Sequence, residues 1–226
     1  VQRRVVEALK TAGKRIVFVN FSGAAIALEP ESLNCEAILQ AWYPGQAGGQ
    51  AVAEVLFGDY NPAGKLPLTF YRNLAQIPDF EDYNMTGRTY RYMKETPLFP
   101  FGHGLSYTTF KYGKLKMNDD KIAAGQNLNL VIPVTNTGSR DGDEVVQVYL
   151  KKMDDTEGPV KTLRAFKRVR IPAGKTVEVK FSLDDTQLEW WDEQSNTMRV
   201  CPGNYTVMIG GTSCEKSLLS RAFTIR

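Results

Sequence analysis

From Phe110 to the C-terminus, apolar side chains return at every second position, and no other feature narrows the possible folds as much. Leu128, Leu130, Ile132 and Val134 alternate with polar residues. So do Val146, Val148 and Leu150, then Val177, Val179, Phe181 and Leu183, then Tyr205, Val207 and Ile209. Successive side chains of a β-strand point to opposite faces, so each set lines one face of one strand. The turn-rich clusters NTGSRDGD, IPAGKT, CPGN and GGTSCEKS separate the sets. Short half-buried strands at this spacing predict an antiparallel, immunoglobulin-like β-sandwich. Tyr205 follows the PGN turn, where a tyrosine corner is expected. Trp190 and Trp191 are neighbours on a strand, so one is expected in the core and the other on an outer surface.

The first part of the chain has a different period. Val5, Val6 and Leu9 share one side of a helix from Gln2 to about Ala12, and Gly13 is placed to cap its end. RIVFVNF is a continuous β-branched and aromatic run of the kind found in buried parallel strands. EAILQAW predicts a second strand, and Gln50 to Phe57 a second helix. Helix and strand alternate, so this part is α/β, with too few units for a complete doubly wound sheet. The chain opens at Val1 inside a helical pattern, and a fragment or a processed chain is expected, with exposed apolar surface on the incomplete layer. From Leu66 to Tyr107 aromatics, Gly and Pro dominate without a period, as in functional loops or segments packed on another domain. The domain boundary is placed after Tyr107, giving units 1–107 and 108–226.

Composition removes several classes of function. Net charge is +3 over 226 residues and the basic residues are scattered, so nucleic acid is not an expected partner. No apolar run approaches the roughly 20 residues of a membrane helix. Lys167, Arg168 and Arg170 are interleaved with apolar residues, as on the solvent face of a strand. One histidine and the three cysteines Cys35, Cys201 and Cys214, none in CxxC spacing, disfavour a metal site. Sequons occur at Asn20, Asn84 and Asn204 and matter only in a eukaryotic secretory pathway.

The segment AWYPGQAGGQAVAEVLFGD joins the second strand to the second helix through three glycines, a layout shared with phosphate-binding loops. It lacks the Lys-Ser/Thr of a P-loop and the GxGxxG spacing of a dinucleotide site. Gly45, Gly48 and Gly49 are instead expected to supply unusual backbone angles and let the helix start tightly against the strand end. Trp42 and Tyr43 stand at the carboxyl end of that strand, where open α/β sheets form ligand crevices. They either stack on a sugar or pack against a neighbouring domain. Arg88 and Arg91, interleaved with tyrosines in GRTYRY, bind either a substrate or a neighbouring loop. Glu29 and Glu31 in ALEPES are expected to be solvated loop carboxylates. His103 and Ser106 are close in sequence but lack an orienting acid and an oxyanion hole, so no nucleophile pair is assigned.

Taken together, AWYPGQAGGQAVAEVLFGDYNPAGKLPLTF resembles the second, α/β-sandwich domain of glycoside hydrolase family 3. PLFPFGHGLSYTTF resembles the passage out of that domain, and NTGSRDGDEVVQVYL with PVKTLRAFKRVRIPAGKTVEV resembles the fibronectin type III-like domain that follows. The resemblance covers essentially the whole chain. It implies a parent enzyme that is an exo-acting, retaining β-glycosidase, with two carboxylates about 5–5.5 Å apart. Both carboxylates are implied to lie upstream, so no catalytic residue is assigned within this chain. Trp42, Tyr43, Arg88 and Arg91 are the substrate-binding candidates. GRTYR resembles the β-xylosidase and arabinosidase branch more than the β-glucosidase branch. An oligosaccharide substrate, no cofactor, a periplasmic or secreted location and a possible homodimer are the remaining implications. The alternative is a non-catalytic carbohydrate- or protein-binding module.

Overall fold

The structure is a computed structural model and describes residues 2–226. The first part runs α1 (Gln2–Thr11), β1 (Val17–Asn20), α2 (Glu29–Asn34), β2 (Ala37–Gln40) and α3 (Gly48–Phe57). β1 and β2 are parallel, with Val17 opposite Ala37 and Asn20 opposite Gln40. Gly13 and Gly58 follow α1 and α3 at φ 68° and 84°, the left-handed conformation that ends a helix at little cost for glycine. The expected open apolar surface is present: Val5 and Leu9 on α1, Val17 on β1, Leu33 after α2 and Phe57 on α3 are all exposed.

Residues 58–107 form two short helices, the 3-10 turn Leu74–Gln76 and α4 (Thr89–Tyr92), and an isolated bridge between Phe70 and Phe99. Then the strands begin: β3 (Phe110–Tyr112), β4 (Lys116–Met117), β5 (Lys121–Ile122), β6 (Leu128–Asn136), β7 (Gly142–Lys152), β8 (Thr162–Ile171) and β9 (Thr176–Leu183). After the short α5 (Asp185–Leu188) come β10 (Trp190–Asp192), β11 (Thr197–Arg199), β12 (Gly203–Gly210) and β13 (Leu219–Ile225). One sheet has the order β5-β13-β12-β7-β8. In the other, β6 is flanked by β3 and β4 on one side and pairs with β9.

The predicted inward faces close the core between the sheets. Leu128, Leu130, Ile132 and Val134 face Val146, Val148 and Leu150, and all are fully buried together with Tyr205, Val207 and Ile209. Each large side chain so buried contributes on the order of 1.5–3 kcal/mol of hydrophobic stabilisation. Tyr205 donates its hydroxyl to the Cys201 carbonyl at 2.8 Å, the expected tyrosine corner. Trp190 is 4% exposed and Trp191 50%, which divides them between core and surface as their alternation requires. Arg168 and Arg170 lie on the solvent side of β8 and pair with Asp143 and Asp141 at 2.7 and 3.1 Å. All three cysteines are free.

β7 departs from a simple alternation. Its outer residues Gln147 and Tyr149 are buried as fully as its inner ones. The reason lies in the irregular segment before the sandwich, which lies across that outer face.

Candidate functional site

Trp42 is the first residue beyond the end of β2 to leave the sheet, and its φ is +55°. A left-handed backbone at a bulky residue costs on the order of 1–3 kcal/mol and persists only where packing over-determines it. That packing is a line of rings. Trp42 meets Phe70 edge-on at 6.1 Å, Phe70 meets Phe99 at 6.3 Å, and Phe99 stacks on His103 at 5.3 Å. The Phe70 amide bonds the Phe99 carbonyl at 2.9 Å and holds the middle pair in register. Tyr43, the next residue, turns outward and is 78% exposed, with its ring lying over Gly23.

The glycines do less than their number suggested. Gly45, Gly48 and Gly49 all have φ outside the left-handed region, so the unusual backbone belongs to Trp42. Only Gly48 is needed for a close approach: a Cβ there would stand 2.5 Å from the Pro44 ring, whereas Gly45 and Gly49 face open space. The joint is therefore a packed corner, and phosphate binding has no support from its glycines.

Arg88 precedes α4 and folds back on its own loop. Its Nε donates to the Asn84 carbonyl at 3.0 Å, and Nη2 donates to the carbonyls of Asp79 (3.1 Å) and Asp82. Thr89 also has a positive φ, +54°, and its amide is fixed by the Tyr71 hydroxyl at 2.8 Å; the Tyr90 amide is fixed by Thr69 at 3.0 Å. Thr69 and Tyr71 flank Phe70, so the loop ending at Arg88 is fastened to the ring line that carries Trp42. Arg91 points the other way. Its carbonyl accepts from the Val160 amide at 2.6 Å, its guanidinium lies over the Tyr92 ring, and its Nε is buried without a hydrogen-bond partner.

The seam with the sandwich is polar and closely fitted. Tyr90 stacks on Phe101 at 4.3 Å, meets Tyr149 edge-on, and accepts from the Leu163 amide through its hydroxyl. The Gln147 amide donates to the carbonyls of Gly211 (2.6 Å) and Gly102 (3.3 Å), and Gly102 sits so close that a Cβ would overlap the Gln147 side chain. Lys65 pairs with Glu144 at 3.3 Å, and Glu144 accepts the Tyr112 hydroxyl at 2.8 Å; both ion-pair side chains are buried. Burial and the adjacent Glu144 push the Tyr112 phenol far above its ordinary range, so it stays a donor at any working pH. Burial, then the charge of Lys65, hold His103 below the ordinary imidazole value.

The two loop carboxylates correct the reading from sequence. Glu29 and Glu31 lie on α2, and Glu31 is buried. Glu31 pairs with Arg3 at 3.3 Å and Glu29 with Arg72 at 3.2 Å, so both are tied into packing. Ser106 donates to Asn61 at 2.9 Å and makes no bond with His103. Among the sequons, Asn20 is buried, with its amide on Ser22 and Gln40, whereas Asn84 and Asn204 are exposed. Among the described residues no group of His, Cys, Asp and Glu is arranged to hold a metal.

Residues 1–107 match the model of the glycosyl hydrolase family 3 C-terminal domain, and residues 144–213 match that of the fibronectin type III-like domain. The chain belongs to glycosyl hydrolase family 3. It is 53% identical over 225 residues to a xylan 1,4-beta-xylosidase of Xylanibacter ruminicola, a match spanning all of this chain and 26% of that protein. A periplasmic beta-glucosidase of Salmonella typhimurium is 39% identical over 95% of the chain and 30% of its own length. Among solved structures, a β-glucosidase from Erythrobacter marinus superposes with a TM-score of 0.87 at 38% identity, over all of this chain and 30% of that one. A Listeria innocua β-glucosidase in complex with isofagomine gives 0.85 at 27% identity, over 99% of this chain and 33% of that one. The chain thus spans about a quarter to a third of the length of these relatives. Within this family 3 segment, Trp42 and Tyr43 share one corner, Arg88 is joined to it through Phe70, and Arg91 belongs to the seam. Neither Phe70 nor the Lys65–Glu144 pair carries a motif; only the tertiary contacts reveal them.

Proposed function

We propose that this chain is the C-terminal region of an exo-acting, retaining β-glycosidase that releases terminal non-reducing β-xylosyl or β-glucosyl units from plant-type oligosaccharides. The observation that carries this reading is the unbroken 53% identity with a xylan 1,4-beta-xylosidase from one end of the chain to the other. A second relative named for the same activity, from Formosa agariphila, favours xylosides over glucosides. The catalytic carboxylates belong to the remainder of the longer polypeptide, since Glu29 and Glu31 are occupied by arginines here. The role of residues 1–107 is to complete a wall of the sugar site at the Trp42–Tyr43 corner, and the role of residues 108–226 is to brace that wall through the seam. The domain division falls after Tyr107. A periplasmic or secreted location fits the relative named as periplasmic.

The test is hydrolysis of aryl β-xylosides and β-glucosides by the longer polypeptide and by the 226-residue chain. The longer polypeptide is expected to turn over the xyloside faster and the chain alone to turn over neither. Turnover by the chain alone would remove the upstream carboxylates from the mechanism.

A further inference from the structure

The least buried aromatic side chains of the chain sit together on one loop. Phe80 is 91% exposed and Tyr83 89%. Rings of this size are normally covered, so two on one short loop mark a contact surface. The loop is also held still. Arg88 fastens the carbonyls of Asp79, Asp82 and Asn84 from below. The Asp79 carboxylate accepts from the Glu81 amide at 3.0 Å, and the Asp82 carboxylate accepts from the Asn84 amide at 2.9 Å. A surface ordered before its ligand arrives loses less entropy on binding.

We propose that the Asp79–Arg88 loop is a platform for a neutral oligosaccharide, with Phe80 and Tyr83 as the stacking surfaces, extending the Trp42–Tyr43 corner beyond the sugar unit that is cleaved. The proposal rests on the glycosidase reading above and adds a specificity-determining surface to it. Three observations point to this occupant. The first is chemistry: an aromatic face takes up the C–H side of a pyranose, while the carboxylates of Asp79, Glu81 and Asp82 accept hydroxyl donors from its edge. The second is charge. The one guanidinium in the loop, Arg88, is turned inward onto carbonyls, and the outward groups are acidic. Phosphates, nucleic acids and uronic acids are repelled by such a rim, whereas a neutral polyol is not. The third is continuity. The Tyr71 hydroxyl and the Thr69 hydroxyl anchor the amides of Thr89 and Tyr90, and the residue between them, Phe70, packs on Trp42. Platform and corner are two parts of one braced surface.

Saturation-transfer NMR on the 226-residue chain with xylotetraose tests the platform without depending on turnover. The wild-type chain is expected to transfer signal to the sugar, and the F80A/Y83A double variant to lose at least about five-fold of it. Both side chains are so exposed that truncation leaves the fold intact, which the circular dichroism spectrum checks. Phe57→Ala, an exposed aromatic on α3, is expected to leave transfer unchanged. A xylotetraose carrying a glucuronic acid branch is expected to give weaker transfer than the neutral sugar. No transfer in the wild-type chain, or equal transfer in F80A/Y83A, overturns the proposal. So does a change of oligomeric state in F80A/Y83A with sugar transfer retained, which assigns the loop to protein contact. Failure of the longer polypeptide to cleave any glycoside overturns the catalytic reading above and leaves these outcomes distinct.

Discussion

Replacing Lys65 by methionine isolates the energetics of the seam. Lys65 and Glu144 are 3.3 Å apart, with side-chain exposures of 14% and 6%. At an effective dielectric constant of about 20, unit charges at that distance attract by about 5 kcal/mol. Burying the two ions costs several kcal/mol each, so the pair as a whole gains little over an apolar contact of the same shape. Removing one partner is different. In K65M the Glu144 carboxylate stays buried with only the Tyr112 hydroxyl to support it, and the expected loss is about 3–5 kcal/mol. In K65M/E144Q the charge is gone while the side-chain oxygen still accepts from Tyr112, so more than half of that loss is expected back. Urea denaturation of the 226-residue chain at pH 7, followed by circular dichroism, measures both. Glu144 stands on β7, so the loss registers in the sandwich transition. A K65M cost below about 1 kcal/mol, or a double variant as unstable as the single one, refutes the reasoning, because either result means that water already solvates Glu144.

Tyr205→Phe removes the hydroxyl from a fully buried ring and orphans the Cys201 carbonyl; the expected cost is about 1–3 kcal/mol in the same urea experiment, with the m-value unchanged. His103 supplies a pH dependence. Its folded value is depressed by burial and by Lys65, so the unfolded chain takes up the proton first as pH falls through its ordinary 6.5. The stability involved is complete above that pH and is lost below it, and a His103→Asn variant is expected to show a flatter thermal midpoint than wild type between about pH 7 and 5.

The sandwich was legible residue by residue because the strand period is a property of the chain itself. Whatever packs against it, Leu128 to Val134 must send alternate side chains to one face, and the turn clusters leave few ways to connect the sets. Tyr205 and the Trp190–Trp191 pair followed from the same alternation. The helix ends at Gly13 and Gly58 are likewise local, set by the freedom of glycine at positive φ. The strand-to-helix corner was legible only in outline. Its three glycines suggested where strain would lie, yet the strained residue is Trp42, because the rings of Phe70, Phe99 and His103 hold it there.

Tertiary contact alone decided what the polar residues do. Sequence treats Glu29, Glu31, Arg88 and Arg91 as four charged groups in loops, each open to solvent or substrate. Folding gives Glu31 to Arg3, Glu29 to Arg72, Arg88 to three carbonyls of its own loop, and Arg91 to the seam. A charge has no periodic signature, and its partner is often tens of residues away: 28 for Glu31 and Arg3, 43 for Glu29 and Arg72. Hydrophobic pattern is written into neighbours along the chain, so the sequence by itself determined the layers. Ion pairs and ring contacts are written into neighbours in space, so only the folded chain decided where Phe80 and Tyr83 would be left uncovered.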